Sequence, residues 1–218
     1  PQIEDLNLPN GIVIPAELIK GTLWGGVESG IAWLGRLPAM VEELCNRFAI
    51  SELRPAASIR MNLVLFGESA MHGPVVLKVA QPHHEACSEI ACMRIMSDTG
   101  FYSRLIDADD SASWSLQERV VPGEMLEKLT QSGDVSDQDA TQITADLMQA
   151  TIAPVPTGVT HPFPHLDRWL NSLWEHARNP KGFIPTEQLD LAVRHARQLV
   201  ANPGPPMLLH GDFHHGNI

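Results

Sequence analysis

The sequence predicts an α+β fold in two parts, a sheet-bearing first half followed by a helical half. Three observations carry this. Between residues 58 and 121, short apolar runs rich in β-branched residues alternate with turn residues. From residue 124 onward the apolar positions recur at helical intervals. Between the two lies "VPGEML" (121–126), a Pro-Gly joint. Strands grouped before helices favour two α+β lobes over a doubly wound parallel sheet. The expected division is 1–121, an N-terminal extension with a first lobe, and 122–218, a second lobe.

Taken in order, residues 1–30 are rich in Gly and Pro, and "GTLWGGVESG" (21–30) reads as loop. Gly21 and Gly26 have the spacing of a phosphate-binding loop, but the Lys-Ser/Thr that would hold the phosphate and metal does not follow. In "LPAMVEELCNRFAI", Met40, Val41, Leu44 and Phe48 predict a helix with Pro38 in its first turn. "SIRMNLVLF" and "PVVLKVA" read as the strands of a hairpin around "GESAMHG". "HHEACSEIACMRIMSD" reads as a helix with Ile90, Met93 and Met96 on one face and Gly100 as its terminator. "YSRLIDAD" and "SWSLQERVV" are two further strands about the polar turn "DADDSAS". The overall count is about five strands with one helix after the third.

The helical half comprises "EMLEKLTQSG", "SDQDATQITADLMQATI", "PHLDRWLNSLWEHAR" and "PTEQLDLAVRHARQLVAN". Ser136 with Asp139 three residues on is a capping-box signal. "APVPTGVTHPFPH" is a surface connector, and "NPGPPMLLHGD" returns to a short strand and loop.

Composition narrows the function. The chain has 218 residues, 44% of them hydrophobic, enough for a real core. A formal charge of −11 argues against nucleic acid, whose phosphates need a basic face, and favours cationic ligands. No apolar run approaches the roughly 18 residues of a membrane span, and "PQIEDLNLPNG" carries no leader signature. Cys45, Cys87 and Cys92 contain no CxxC pair, so free thiols in a reducing cytoplasm are expected. No feature sets an oligomeric state.

The stretch that carries chemistry is "LLHGDFHHGNI" (208–218). Asp212 and Asn217, five residues apart, have the spacing of a loop for phosphoryl transfer, in which the Asp accepts the attacking hydroxyl's proton and the Asn holds Mg2+. The same stretch offers His210, Asp212, His214 and His215 as an HxDxHH cluster, the donor set of a metal-dependent hydrolase. That second chemistry needs further ligands downstream, and the other histidines form no comparable cluster.

The motif resembles the HGDxHxxN catalytic motif of the aminoglycoside phosphotransferase family, whose members share a protein-kinase-like two-lobe fold. Further matches run in the family's order: "GPVVLKVAQP" with the strand of its nucleotide lysine, "HHEACSEIACMRIM" with the helix of its glutamate, and "SWSLQERVVPGEML" with its hinge. The hinge is most similar to that of the streptomycin and hydroxyurea resistance branch. The resemblance implies an ATP-dependent O-phosphotransferase acting on a small polar molecule, with ATP and Mg2+ bound.

In that role Lys78 would pair with ATP phosphates rather than stand as an edge-strand lysine. Glu89 would be its ion-pair partner, with Glu85 one turn earlier as competitor. The Glu118 carbonyl and Val120 amide would read adenine, and Ser58 is a candidate phosphate contact beside the alternative of a plain turn serine. Asp212 would be the base and Asn217 a Mg2+ ligand, with His210 and His214 bracing the loop. Asp167 and Glu175 would face a cationic substrate. The resemblance also implies a second metal-binding aspartate beyond Ile218, so the expectation is of a longer chain; a kinase-like nucleotide-binding protein without turnover is the alternative.

Overall fold

The computed structural model describes all residues except 1–6, 25, 57–60, 82–83, 156, 158–162, 181 and 183. A small antiparallel pair, β1 (Asn7–Leu8) and β2 (Ile12–Val13), leads into helices α1 (Ala16–Trp24) and α2 (Val27–Phe48). Then come β3 (Ile50–Pro55), β4 (Asn62–Ser69), β5 (Gly73–Ala80), α3 (His84–Met96), β6 (Leu105–Asp109) and β7 (Trp114–Glu118). The second half contains α4 (Leu126–Ser132), α5 (Asp137–Thr151), β8 (Ala153–Pro154), α6 (Leu166–Trp169), α7 (Asn171–Arg178), α8 (Thr186–Ala201) and β9 (Met207–Leu208). The five-stranded sheet has the order β3-β4-β5-β7-β6 with antiparallel neighbours, and β8 pairs with β9. This is the α+β class expected.

Two expectations for the first fifty residues need correction. The stretch read as loop is helical over Ala16–Trp24 and again from Val27, and Pro38 lies inside α2 rather than in its first turn. The reason is burial. Trp33, Leu34, Leu37, Val41, Leu44 and Phe48 form a continuous buried stripe through Pro38. An interior proline costs about 3 kcal/mol, whereas burying each such side chain gains about 1.5–3 kcal/mol. Six of them outweigh one proline. Gly30 also has a packing role: a Cβ there would lie 3.0 Å from the Thr22 carbonyl oxygen, so glycine lets α1 and α2 approach closely.

The stripe of α2 covers one face of the sheet. Leu63, Leu65, Val75, Leu77, Val79, Trp114 and Leu116 meet it, with Leu18 of α1 joining the same core. Strand side chains alternate between faces, and β4 and β5 keep this in register, with Leu63 opposite Val79, Leu65 opposite Leu77 and Val64 opposite Lys78. Leu77 and Val79 are therefore buried against the helices, while Lys78 emerges on the opposite face.

The strand boundaries differ from the sequence reading. Ile50–Pro55 is an additional strand, and the hairpin's first arm extends through Ser69, leaving only residues 70–72 for the turn. At the β6–β7 turn, Asp109 Oδ1 accepts bonds from the Ser111 hydroxyl and from the Ser111 and Ala112 N–H groups; these hold its carboxyl below the usual range. In the helical half, Ser136 caps α5 by accepting from the Asp139 N–H at 3.1 Å. Gly100 ends the 3-10 turn after α3 at φ 79°. No described helix is long and apolar enough to cross a membrane.

If α2 seals the sheet as described, Leu37→Ala should lower unfolding stability by about 2–5 kcal/mol in urea titrations. Ile31→Ala, on the exposed side of the same helix, should stay within about 0.5 kcal/mol of the parent.

Candidate active site

Lys78 leaves β5 on the face that carries α3, and Glu89 of α3 meets it: Nζ lies 2.5 and 2.6 Å from the two carboxylate oxygens. The lysine side chain is 23% exposed and the glutamate 40%, so the pair stands at the edge of solvent rather than in the core. A lone ammonium at such a site would lose hydration without compensation; the bidentate contact supplies it. Ile90, Met93 and Met96 fasten α3 by burial. The Glu85 side chain and Ser58 lie outside the described positions.

The terminal loop is held by short-range bonds. The His210 Nδ1 accepts the Asp212 N–H at 3.3 Å, and the His214 Nδ1 accepts the Gly216 N–H at 3.0 Å. Asn217 turns its Nδ2 toward Asp212, 2.9 Å from the main-chain oxygen and 3.2 Å from Oδ2. The His214 Nε2 lies 3.1 Å from the same amide and 3.7 Å from Asp212 Oδ2. Gly216 permits this closure. A Cβ there would lie 3.0 Å from the His214 ring and 3.1 Å from Glu127 Oε2. Glu127, on the first turn of α4, was not singled out in the sequence because nothing local marks a solvated helix glutamate as a neighbour of a distant loop.

The loop is docked at both ends. The Leu126 N–H, an orphan donor at the start of α4, donates to the Ile218 carbonyl at 2.7 Å. At the other end, the Tyr102 ring stacks on His210 with centroids 6.0 Å apart, and Phe213 meets the imidazole edge-on at 5.3 Å. Partial burial pushes the His210 pKa below the usual histidine value, against the opposing pull of the Asp212 carboxylate; Glu89 also lies near enough to act on it.

Glu118 ends β7, and Val120 follows it. With Tyr102, Arg104 and Arg119 they line an open cavity of about 430 Å3 whose lining includes none of Lys78, Glu89 and Asp212. The Glu118 N–H bonds the Arg104 carbonyl at 2.9 Å and the Arg119 N–H bonds the Pro74 carbonyl at 3.0 Å, while the Glu118 carboxylate pairs with Arg104. From α6, Trp169 rather than Asp167 reaches the loop, at Gly211; the Asp167 carboxylate accepts its neighbour's Arg168 N–H.

Among the described residues, no three His, Cys, Asp or Glu side chains converge as metal ligands. The hydrolase arrangement of His210, Asp212, His214 and His215 is therefore not formed, because His210 faces Tyr102 and His214 faces Gly216 and Asn217. With its Nδ2 on Asp212, Asn217 has its Oδ1 left as the oxygen it could offer a Mg2+, an ion that nucleotide sites usually hold with one or two carboxylates as well as phosphates.

His210 also yields a stability prediction. Its folded pKa lies below the unfolded value of about 6.5. Between the two values the unfolded chain binds more protons, so the contribution is fully present above about pH 6.5 and is lost as pH falls through the folded pKa. The NMR midpoint of the His210 ring should fall below that of the denatured chain, and His210→Gln should flatten the acid limb of stability against pH.

The comparisons with known proteins come to the same region. A family model described as "Aminoglycoside/hydroxyurea antibiotic resistance kinase" matches residues 51–218. A streptomycin 6-kinase of Streptomyces glaucescens is 30% identical over 218 residues, covering 95% of this chain and 66% of that protein. One from Streptomyces griseus is 26% identical, with the same coverage of 95% and 66%. The chain thus spans 66% of the length of these curated relatives. Among solved structures, a choline kinase from Cryptosporidium parvum Iowa II matches at TM-score 0.44 and 14% identity, covering 74% of this chain and 49% of that one. A choline/ethanolamine kinase family protein from Mesorhizobium loti matches at 0.46 and 15%, covering 76% and 56%. With its family match running from β3 to the terminal loop, the chain belongs to the aminoglycoside/hydroxyurea antibiotic resistance kinase family.

Proposed function

We propose that this chain carries the nucleotide-binding and catalytic-base parts of an ATP-dependent phosphotransferase. Its acceptor is a hydroxyl of a small, polar, cationic molecule of the streptomycin or hydroxyurea class. The observation that carries the reading is the closure of Asp212 on Asn217 in the terminal loop, in a chain that also pairs Lys78 with Glu89 on the sheet. Family membership and the names of the curated relatives support the same chemistry. The acidic balance of −11 suits a cationic acceptor.

In this reading Lys78, oriented by Glu89, neutralises phosphate oxygens of ATP. Asp212 takes the proton of the acceptor hydroxyl as its oxygen attacks the γ-phosphorus, and the bond to the bridging oxygen breaks to release ADP. Asn217 would hold Mg2+, which when bound supplies charge neutralisation at the phosphates. His210 and His214 keep the loop closed, and Glu118 and Val120 belong to the hinge. Residues 1–121 form the nucleotide-binding unit with its N-terminal extension, and 122–218 the unit bearing the base. Three free thiols, Cys45, Cys87 and Cys92, fit work in the reducing cytoplasm, where ATP is available.

The test supplies the purified protein with ATP, Mg2+ and streptomycin or hydroxyurea and follows phosphorylated product. Asp212→Ala should lower kcat by about 100-fold or more, with ATP affinity within a few fold of the parent. Lys78→Met should weaken ATP binding instead. Transfer that survives Asp212→Ala unchanged removes the assigned base, and a thermal shift with ATP but no product from any acceptor supports binding without turnover.

A further inference from the structure

Tyr102, the chain's one tyrosine, belongs to neither half of the motif set read from the sequence. It stands between the 3-10 turn that ends α3 and the start of β6. Its ring stacks on His210 at an interplanar angle of 23°. One side chain rooted in the sheet half therefore touches the terminal loop. On the loop side the stack has a consequence for the backbone. His210 Nδ1 accepts the Asp212 N–H, so the angle of the imidazole plane fixes where that N–H points and with it the main chain at Asp212. Phe213 closes the ring's edge at 89°, leaving His210 pinned from two directions.

We propose that Tyr102 is a positioning residue for phosphoryl transfer, holding His210 in the orientation that places Asp212 and so linking the base to the half that carries Lys78 and Glu89. The catalytic part of this statement rests on the phosphotransferase reading above; the placement of Asp212 by Tyr102 does not. A base displaced by about an ångström loses up to about 100-fold in rate without any loss of nucleotide binding. The role is carried by the ring, the part of the side chain that meets His210.

The experiment compares Tyr102→Leu with Tyr102→Phe in the purified protein. Tyr102→Leu should lower kcat about tenfold or more and leave KM for ATP within about twofold, while Tyr102→Phe should keep kcat within about twofold. Independently of turnover, amide hydrogen exchange at Asp212 should accelerate in Tyr102→Leu and match the parent in Tyr102→Phe. Should the leucine variant not fold, Tyr102→Met carries the same expectations. If the parent transfers no phosphate to any acceptor, the function reading fails and the exchange measurement alone decides the placement. Parental exchange at Asp212 in Tyr102→Leu overturns the proposal. So does a common fall of kcat, ATP affinity and melting temperature that Tyr102→Phe does not restore.

Discussion

The alternation of side chains along β5 is the constraint on which the rest depends. Val75, Leu77 and Val79 face the buried stripe of α2, which with α1 closes that side of the sheet. Period two then leaves Lys78 no choice but the opposite face. A slip of one residue against β4 would turn the lysine into the core and three aliphatic side chains into the cleft, so the apolar seal enforces the register that exposes the ammonium. Glu89 is placed by the same logic at one remove. Ile90, Met93 and Met96 hold α3 down, and the carboxylate one position before Ile90 meets Nζ.

The N-terminal helices thus act on the chemistry without approaching it. The family match begins at residue 51, yet α1 and α2, which precede it, supply seven of the seventeen buried residues of the core that fixes the lysine strand. A sheet with one bare apolar face would be a poor platform for a fixed charge. Here that face is closed, and the face with Lys78, Asn62 and Gln117 remains partly open.

Legibility followed the range of the physical signal. The central hairpin, α3 and the helices after the joint were readable because their apolar periods are local. Asp212 and Asn217 were readable because a five-residue spacing in a glycine-bounded loop is a short-range constraint. Helix α1 and the part of α2 before Pro38 were not, since Gly21, Gly26, Gly30, Gly35 and Pro38 are all local breakers. Only the tertiary burial of Trp33 through Phe48, and the close approach at Gly30, overrides them. β3 was missed for a related reason: its burial pattern does not alternate cleanly, and Glu52 adopts φ 52°, which interrupts the pairing with β4 between Ser51 and Arg54. Tyr102 and Glu127 carry no signal at all in one dimension, because what distinguishes them is contact with a loop about a hundred residues away.

Those long-range contacts explain how an exposed carboxylate keeps a defined position. The Asp212 side chain is 77% exposed, so burial does little to hold it. Fixed geometry has to come from the main chain and from neighbours of the loop. Ile218 is anchored to the first turn of α4, and His210 to Tyr102, which precedes β6. The loop is therefore tied to the chain on both sides of the joint at residues 121–123, once through a backbone hydrogen bond and once through stacked rings. Neither tie depends on net charge, so salt that screens an exposed ion pair leaves both in force. Placement of the aspartate is in this way a matter of packing and main-chain bonding.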